Sequence, residues 1–243
     1  MVKENTLKEF YQSSWHGIEF SELDQSSTNL PTKCFYDRFY EKFFERHENF
    51  EQLDGNWINY KLNVARQLNN IVTDKSSILS IGCGIGFVEN ELTRLNTELQ
   101  ITAIEPSKNA LKWINANPRI TTFSGYFPEC LEHKPNFDLV YANNIEYVFN
   151  DSEYALFLNS VVRFGVSDFL IITSANYNPW VGFKGFLKHI IRYLFTRGNV
   201  AKGQLWGYLR SQHEHIKLLR DAGFNSITTT KFEKNTLFIR ATR

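Results

Sequence analysis

A single methionine and three cysteines stand among the 243 residues. The thiols Cys34, Cys83 and Cys130 are widely separated and no C-x-x-C spacing occurs, which argues against a zinc site or a disulfide framework. Reduced thiols point instead to a cytoplasmic protein. No apolar run approaches the roughly 18–20 residues of a bilayer span, and the polar N-terminal stretch has no secretory hydrophobic region. A soluble protein is therefore expected. Net charge is nearly absent as well: 27 Lys+Arg against 26 Asp+Glu leave +1, too little for a general attraction to nucleic acid. Internal repeats and low-complexity tracts are missing too.

Aromatic residues are abundant. The chain has 21 Phe, 11 Tyr and 5 Trp, 15% of its length, enough for a ring-lined pocket or interface beyond ordinary packing. With 42% hydrophobic residues, the length suits one α/β domain with extra helices. Charge is uneven locally. Between Phe169 and His213 there are six cations, Lys184, Lys188, Arg192, Arg197, Lys202 and Arg210, and no Asp or Glu. Such a stretch suits an anionic substrate or a membrane surface.

Residues 1–56 read as an N-terminal arm and helix that fold over the rest as a lid. The arm is polar, with Trp15 and Phe20 as anchors. From Thr32 to about Leu53, Phe35, Phe39, Phe43 and His47 recur at helical spacing and give a broad aromatic face. Gly55 and Asn56 interrupt it, and Trp57, Tyr60, Val64, Leu68 and Ile71 mark a second helix. Residues 57–243 form the main domain. Strands are expected at 78–82, 100–105, 119–123, 137–142 and 168–174, with helices near 86–95, from a Ser107 N-cap through Ile114, and near 151–164. After an insertion at 175–210, Ser211 and Glu214 make a capping box for a helix that Gly223 ends. Ser226–Phe232 and Thr236–Arg240 read as a closing antiparallel hairpin. The fold class is α/β, a Rossmann-like doubly wound seven-stranded sheet with an antiparallel C-terminal hairpin and extra N-terminal helices.

The most informative segment is Ile78-Leu79-Ser80-Ile81-Gly82-Cys83-Gly84-Ile85-Gly86-Phe87, an apolar strand entering three alternate glycines. Glycine lets backbone N–H groups come close to a ligand, and the helix that follows adds a partial positive charge. Nicotinamide enzymes space these glycines G-x-G-x-x-G to receive a pyrophosphate. Here the spacing is G-x-G-x-G, a tighter turn that fits a methionine carboxylate and amine with no phosphate. Glu105 closes the next strand 23 residues beyond Gly82 and can accept hydrogen bonds from both hydroxyls of a ribose.

With these residues in place, Ile78–Glu89, Ile101–Glu105, Phe123–Pro128 and Phe137–Val148 resemble the successive motifs of class I S-adenosylmethionine-dependent methyltransferases, the seven-stranded Rossmann-like type. The resemblance implies S-adenosylmethionine as cofactor. It implies that Ile81, Gly82, Cys83, Gly84 and Gly86 hold the methionyl part and that Glu105, with Pro106 after it, holds the ribose. Tyr126 and Phe127 then lie where the family contacts adenine, and Asn143 touches the cofactor after strand four. Many relatives carry Leu-Glu-His next; this chain has Ile145-Glu146-Tyr147, which makes Glu146 a candidate catalytic group and Tyr147 a candidate acceptor contact. Asn143-Asn144 stand where metal-dependent members have carboxylates, so no catalytic metal is expected.

Methyl transfer needs positioning and exclusion of water, and an oxygen acceptor also benefits from a general base. His213 and His215 open the helix after strand five, which begins at the active edge of the sheet. His213 is the leading base candidate, with His215 second. Trp206, Tyr208 and Arg210 are candidates for the acceptor pocket. The insertion around 180–197 mixes cations with large apolar groups and has three competing readings: a substrate cover, a membrane-surface helix or an oligomer contact. The cover is favoured, and its charge suits a phosphorylated or lipid-linked acceptor at the inner face of the membrane. The expected activity is O-methylation of a small molecule or glycan, with a sugar favoured by a faint likeness of Gly203–Phe224 to polysaccharide-associated methyltransferases. The alternatives are N-methylation, an oxidoreductase or aminopropyl transferase on the same sheet edge, and a non-catalytic nucleoside-binding module. No nucleic-acid partner is expected.

Overall fold

The computed structural model describes residues 8–23, 30–72, 77–131, 136–176, 204–232 and 236–243. The cationic stretch 180–197 lies outside these residues, as do residues 233–235 between the two hairpin strands.

The N-terminal part contains β1 (Glu9–Gln12), β2 (Ser14–Trp15), β3 (Ile18–Glu19), α1 (Lys33–Arg46) and α2 (Gly55–Ile71). The side chain of Thr32 caps α1 and that of Asp54 caps α2, each accepting a backbone N–H of the first turn. The core then alternates: β4 (Ser77–Ile81), α3 (Phe87–Leu95), β5 (Gln100–Glu105), β6 (Ile120–Ser124), β7 (Leu139–Asn143), α4 (Asp151–Phe164) and β8 (Asp168–Thr173). The chain continues with β9 (Gln204–Tyr208), α5 (Gln212–Ala222), β10 (Ser226–Phe232) and β11 (Thr236–Thr242).

Seven strands form one sheet in the order β10-β11-β8-β7-β4-β5-β6. The five from β8 to the β6 edge are parallel, β11 runs antiparallel to β8, and β10 pairs antiparallel with β11. From β4 the chain builds outward through β5 and β6, then returns to the other side of β4 with β7 and β8. That reversal opens a crevice between the carboxyl ends of β4 and β7, where open α/β sheets take their ligands.

Both faces of the sheet are covered, so the central strands read as nearly continuous apolar runs. Val64, Leu68, Val88 and Leu92 from α2 and α3 pack on Ile78, Ile101 and Tyr141. Tyr154, Leu158, Val161 and Leu219 from α4 and α5 pack on Leu79, Val140 and Ile171 on the other face. A third cluster lies over the carboxyl edge and joins Ile18, Phe20, Phe35, Phe39 and Phe43 to Ile85, Ala110 and Trp206.

Three elements differ from the sequence expectation. The first helix, expected to run to about Leu53, ends at Arg46, where His47 turns extended and Phe50–Gln52 forms a separate 3-10 turn. The helix expected from Ser107 is a pair of 3-10 turns, Asn109–Lys112 and Ile114–Ala116. The Ser107 hydroxyl donates to Asp37 Oδ1 at 2.7 Å, and the Asn109 amide bonds to Asp37 O and Glu41, so both side chains dock on α1. Pro118 then holds Asn117 extended, which stops any continuation. The polar arm, in turn, holds regular structure. β1 pairs with β9 from the far end of the chain, Glu9 opposite Tyr208 and Gln12 opposite Gln204. β2 and β3 make a hairpin whose two loop residues, His16 and Gly17, have φ of 48° and 74°. Trp15 stacks on Phe39 at 4.7 Å, and Phe20 stacks on Trp206 at 4.8 Å.

Candidate active site

The glycine turn leaves β4 with φ of 72° at Gly82, 57° at Gly84 and 75° at Gly86, a region that favours glycine. A Cβ on Gly82 would overlap Ile145 Cγ2, and one on Gly86 would lie 2.5 Å from Ile114 Cβ. The turn is thus pressed between the β7 loop and the 3-10 segment. Its N–H groups are used within the protein. Gly82 and Cys83 donate to Ile104 O at 2.8 and 3.1 Å, and Gly86 donates to Cys83 O at 3.1 Å. Gly84 donates to Glu105 Oε2 at 2.9 Å, while Ser107 N–H donates to Oε1 at 3.2 Å. Burial pushes the Glu105 carboxyl up to about 7, opposed by those two N–H groups.

Above the turn lies a cavity of about 680 Å³, within the range of roughly 300–1,000 Å³ that holds small ligands and cofactors. Ile81, Gly82, Cys83, Gly84, Glu105, Pro106, Tyr126, Phe127, Asn143 and Tyr147 all line it. Tyr126 is exposed at the mouth, and the Phe127 ring also packs edge-on against Phe164. Gly86 stands behind the wall, against Ile114.

Other expected residues lie elsewhere. Trp206 and Arg210 are buried and do not line the cavity, nor does Tyr208, because β9 is drawn under the N-terminal segment by β1. The Arg210 guanidinium donates to Asp151 Oδ1, Glu146 O and Phe149 O and lies 4.7 Å over the Tyr154 ring, which makes it an anchor for the loop after β7. Neither candidate base reaches the cavity. His213 is exposed on α5; His215 is fully buried, with Nδ1 3.2 Å from the Tyr154 hydroxyl, and burial lowers its pKa to about 3. The helix does begin near the active edge, but its first turn packs against α4. Glu146 is also buried outside the cavity, accepting from the Thr173 hydroxyl, and burial raises its carboxyl to about 7. It braces the loop that carries Tyr147.

Several lining residues escaped the sequence reading. From the N-terminal part come Trp15, His16, Tyr36, Tyr40, Trp57 and Lys61, and from the core Glu89 and Asn144. His16 sits in the β2–β3 turn with its ring edge-on to Phe43 and Trp57, at 5.3 and 5.1 Å. Its pKa is lowered to about 4, first by burial and then by His47 and Lys61, so the imidazole is neutral at pH 7. Asn144 has φ 57°, donates to the Tyr60 hydroxyl and accepts from Ser174. The signals for Trp57, Tyr60 and Lys61 were their i, i+3, i+4 spacing on α2, which reads equally well as packing.

Residues 78–165 match the family described as "Methyltransferase domain". This stretch is similar to a methyltransferase domain. The sheet order and the crevice agree with that family, which uses S-adenosylmethionine. Solved structures share the fold at low identity. The S-adenosylmethionine-dependent methyltransferase SibL superposes with a TM-score of 0.63 at 14% identity over 92% of this chain and 64% of its own. Human N-acetylserotonin methyltransferase, solved with S-adenosylmethionine, gives 0.54 at 15% identity over 92% and 65%. Magnesium protoporphyrin IX methyltransferase from Synechocystis, solved with S-adenosylhomocysteine, gives 0.60 at 12% identity over 86% and 97%. The chain thus spans just under two thirds of the length of the first two. No curated protein matches the sequence significantly.

The cavity wall has groups that could hold such a cofactor. Gly82, Cys83 and Gly84 bring bare backbone to it, Glu105 brings a carboxylate hydrogen-bonded to the Gly84 N–H, and Tyr126, Phe127 and Pro106 bring apolar surface. No helix among the described residues is long and apolar enough to cross a membrane.

Proposed function

We propose that the protein transfers a methyl group to a small-molecule acceptor, at oxygen in preference to nitrogen. The observation that carries this is the state of the glycine turn. Four of its N–H groups, on Gly82, Cys83, Gly84 and Gly86, are bonded inside the protein and are not available to cradle a diphosphate. S-adenosylmethionine supplies an activated methyl on its sulfonium and carries no phosphate. Glu105 accepts the ribose hydroxyls, and Tyr126 and Phe127 face the purine. Trp15, Tyr36, Tyr40 and Tyr147 wall the remaining space and exclude water from the acceptor.

Among the described histidines, His16 is the one that lines the cavity, and its imidazole, which burial keeps neutral but also makes a weaker base, is the candidate proton acceptor for an acceptor hydroxyl. The ring-rich wall favours a flat or apolar acceptor. A sugar or glycan remains in this proposal as a second class, although Trp206 and Tyr208, expected to stack on it, lie outside the cavity. A phosphorylated or lipid-linked acceptor and contact with the inner membrane face rest on the charge of 180–197, and a cytoplasmic location rests on the free thiols of Cys34, Cys83 and Cys130.

The test is release of S-adenosylhomocysteine from S-adenosylmethionine against a panel of phenols, heteroaromatic alcohols, primary amines and pyranosides. Turnover is expected with a hydroxylated ring compound, and His16→Ala should lower kcat by about 10²-fold, the scale of a lost general base. Turnover confined to amines would overturn the oxygen assignment. A variant within about threefold of wild type would remove His16 from the chemistry.

A further inference from the structure

Lys61 is a cation in the cavity wall that the fold leaves without a counterpart. It enters from α2, its ammonium 5.7 Å from the Trp57 ring centre and 5.6 Å from that of Tyr60. No ion pair or hydrogen bond joins it to any described residue. Two carboxylates act on it through space, Glu89 and then Glu146, and each is bonded to the fold. Glu89 Oε1 accepts the Ser80 and Tyr141 hydroxyls at 2.6 Å, and Glu146 accepts that of Thr173. Burial outweighs both and lowers the Lys61 pKa to about 8, which still leaves a cation at pH 7.

An ammonium held among rings gives up hydration that a cation–π contact only partly replaces, so an anion in the cavity is its complement. The surroundings of Lys61 are those assigned above to the acceptor. Trp57 is shared with His16, whose ring stands edge-on to it at 5.1 Å, and the charge of Lys61 is among the influences that lower the His16 pKa. The Tyr60 hydroxyl accepts from the amide of Asn144, on the loop that also carries Tyr147. A ring compound whose hydroxyl meets His16 can therefore set a second substituent on Lys61.

We propose that Lys61 determines acceptor specificity by binding a carboxylate of the compound that is methylated, so that the substrate class is a hydroxylated aromatic acid. This rests on the reading above that the acceptor hydroxyl meets His16. Trp15, Tyr36, Tyr40 and Trp57 give the aromatic part its apolar surface. The proposal also accounts for a lysine among rings where packing alone would favour an apolar residue. A neutral sugar or an uncharged phenol leaves the ammonium unanswered, and that difference selects against it.

Calorimetry on the full chain loaded with S-adenosylhomocysteine tests it, with ortho, meta and para hydroxybenzoate as probes beside the three matching hydroxybenzamides. At least one acid should bind about tenfold or more tighter than its amide, the scale of one charge-assisted hydrogen bond. Lys61→Met keeps the stem against Trp57 and Tyr60 and should abolish that preference while leaving S-adenosylhomocysteine within about twofold of wild type. Lys61→Arg should retain part of the preference, which separates charge from packing; Lys61→Gln is a second neutral variant if the Met form unfolds. No acid preferred over its amide, or a preference that survives the loss of the charge, overturns the proposal. So does a neutral variant that weakens S-adenosylhomocysteine itself, which would give Lys61 to the donor. Failure of the oxygen assignment beneath it shows separately, as turnover of aminobenzoates and not of hydroxybenzoates.

Discussion

Glu105 uses both oxygens within the protein, one on the Gly84 N–H and one on that of Ser107. Each oxygen keeps a second lone pair, enough for two ribose hydroxyls. Burial holds the carboxyl near 7 in the free protein, so below that pH it is mainly protonated. Hydroxyls that donate to the carboxylate favour its ionised form and lower that value, so binding near pH 6.5 should release protons. The heat of S-adenosylhomocysteine binding at pH 6.5 is then expected to differ between phosphate and Tris buffers, and Glu105→Gln should reduce that difference. Equal heats in both buffers for the wild-type protein would contradict the role. This acid was legible in the sequence because it ends an apolar strand at a fixed distance from the glycines. Lys61, Glu89 and His16 were not, since each owes its place to a cavity assembled from segments far apart in the chain.

The elements legible in advance are those fixed by local chemistry. Ser211 and Glu214 form the expected reciprocal cap of α5, and Gly223 ends that helix at φ 105°. Asn150 and Glu153 cap α4 the same way, a signal equally open to a sequence reading. Where tertiary contacts decide, local patterns fail: Ser107 bonds to Asp37 on α1 and does not cap a helix. Arg210 belongs to this second kind. Its three hydrogen bonds tie the start of α5 to the loop that holds Tyr147, and the guanidinium is 1% exposed. Lysine cannot reproduce that fork, so Arg210→Lys should destabilise the protein by about 2–4 kcal/mol in urea unfolding. A change under about 0.5 kcal/mol would show that the fork does not anchor the loop.

At the scale of the molecule, the parallel sheet and its closing hairpin follow from alternating apolar runs and turns, and they came out of the sequence in order. The cover over the carboxyl edge did not. β1 is four residues long and finds its partner β9 near the other end of the chain, a pairing no local period encodes. That pairing places Trp15 and His16 over the glycine turn and draws Trp206 inward, which turns an arm into a wall of the cavity. Sheet edge and cover together enclose a site for a nucleoside that carries no diphosphate. Isothermal titration of the full chain with S-adenosylhomocysteine and, separately, with NADH measures this most directly. Saturable one-to-one binding of S-adenosylhomocysteine with no heat from NADH is the predicted result; NADH binding without S-adenosylhomocysteine binding would contradict it.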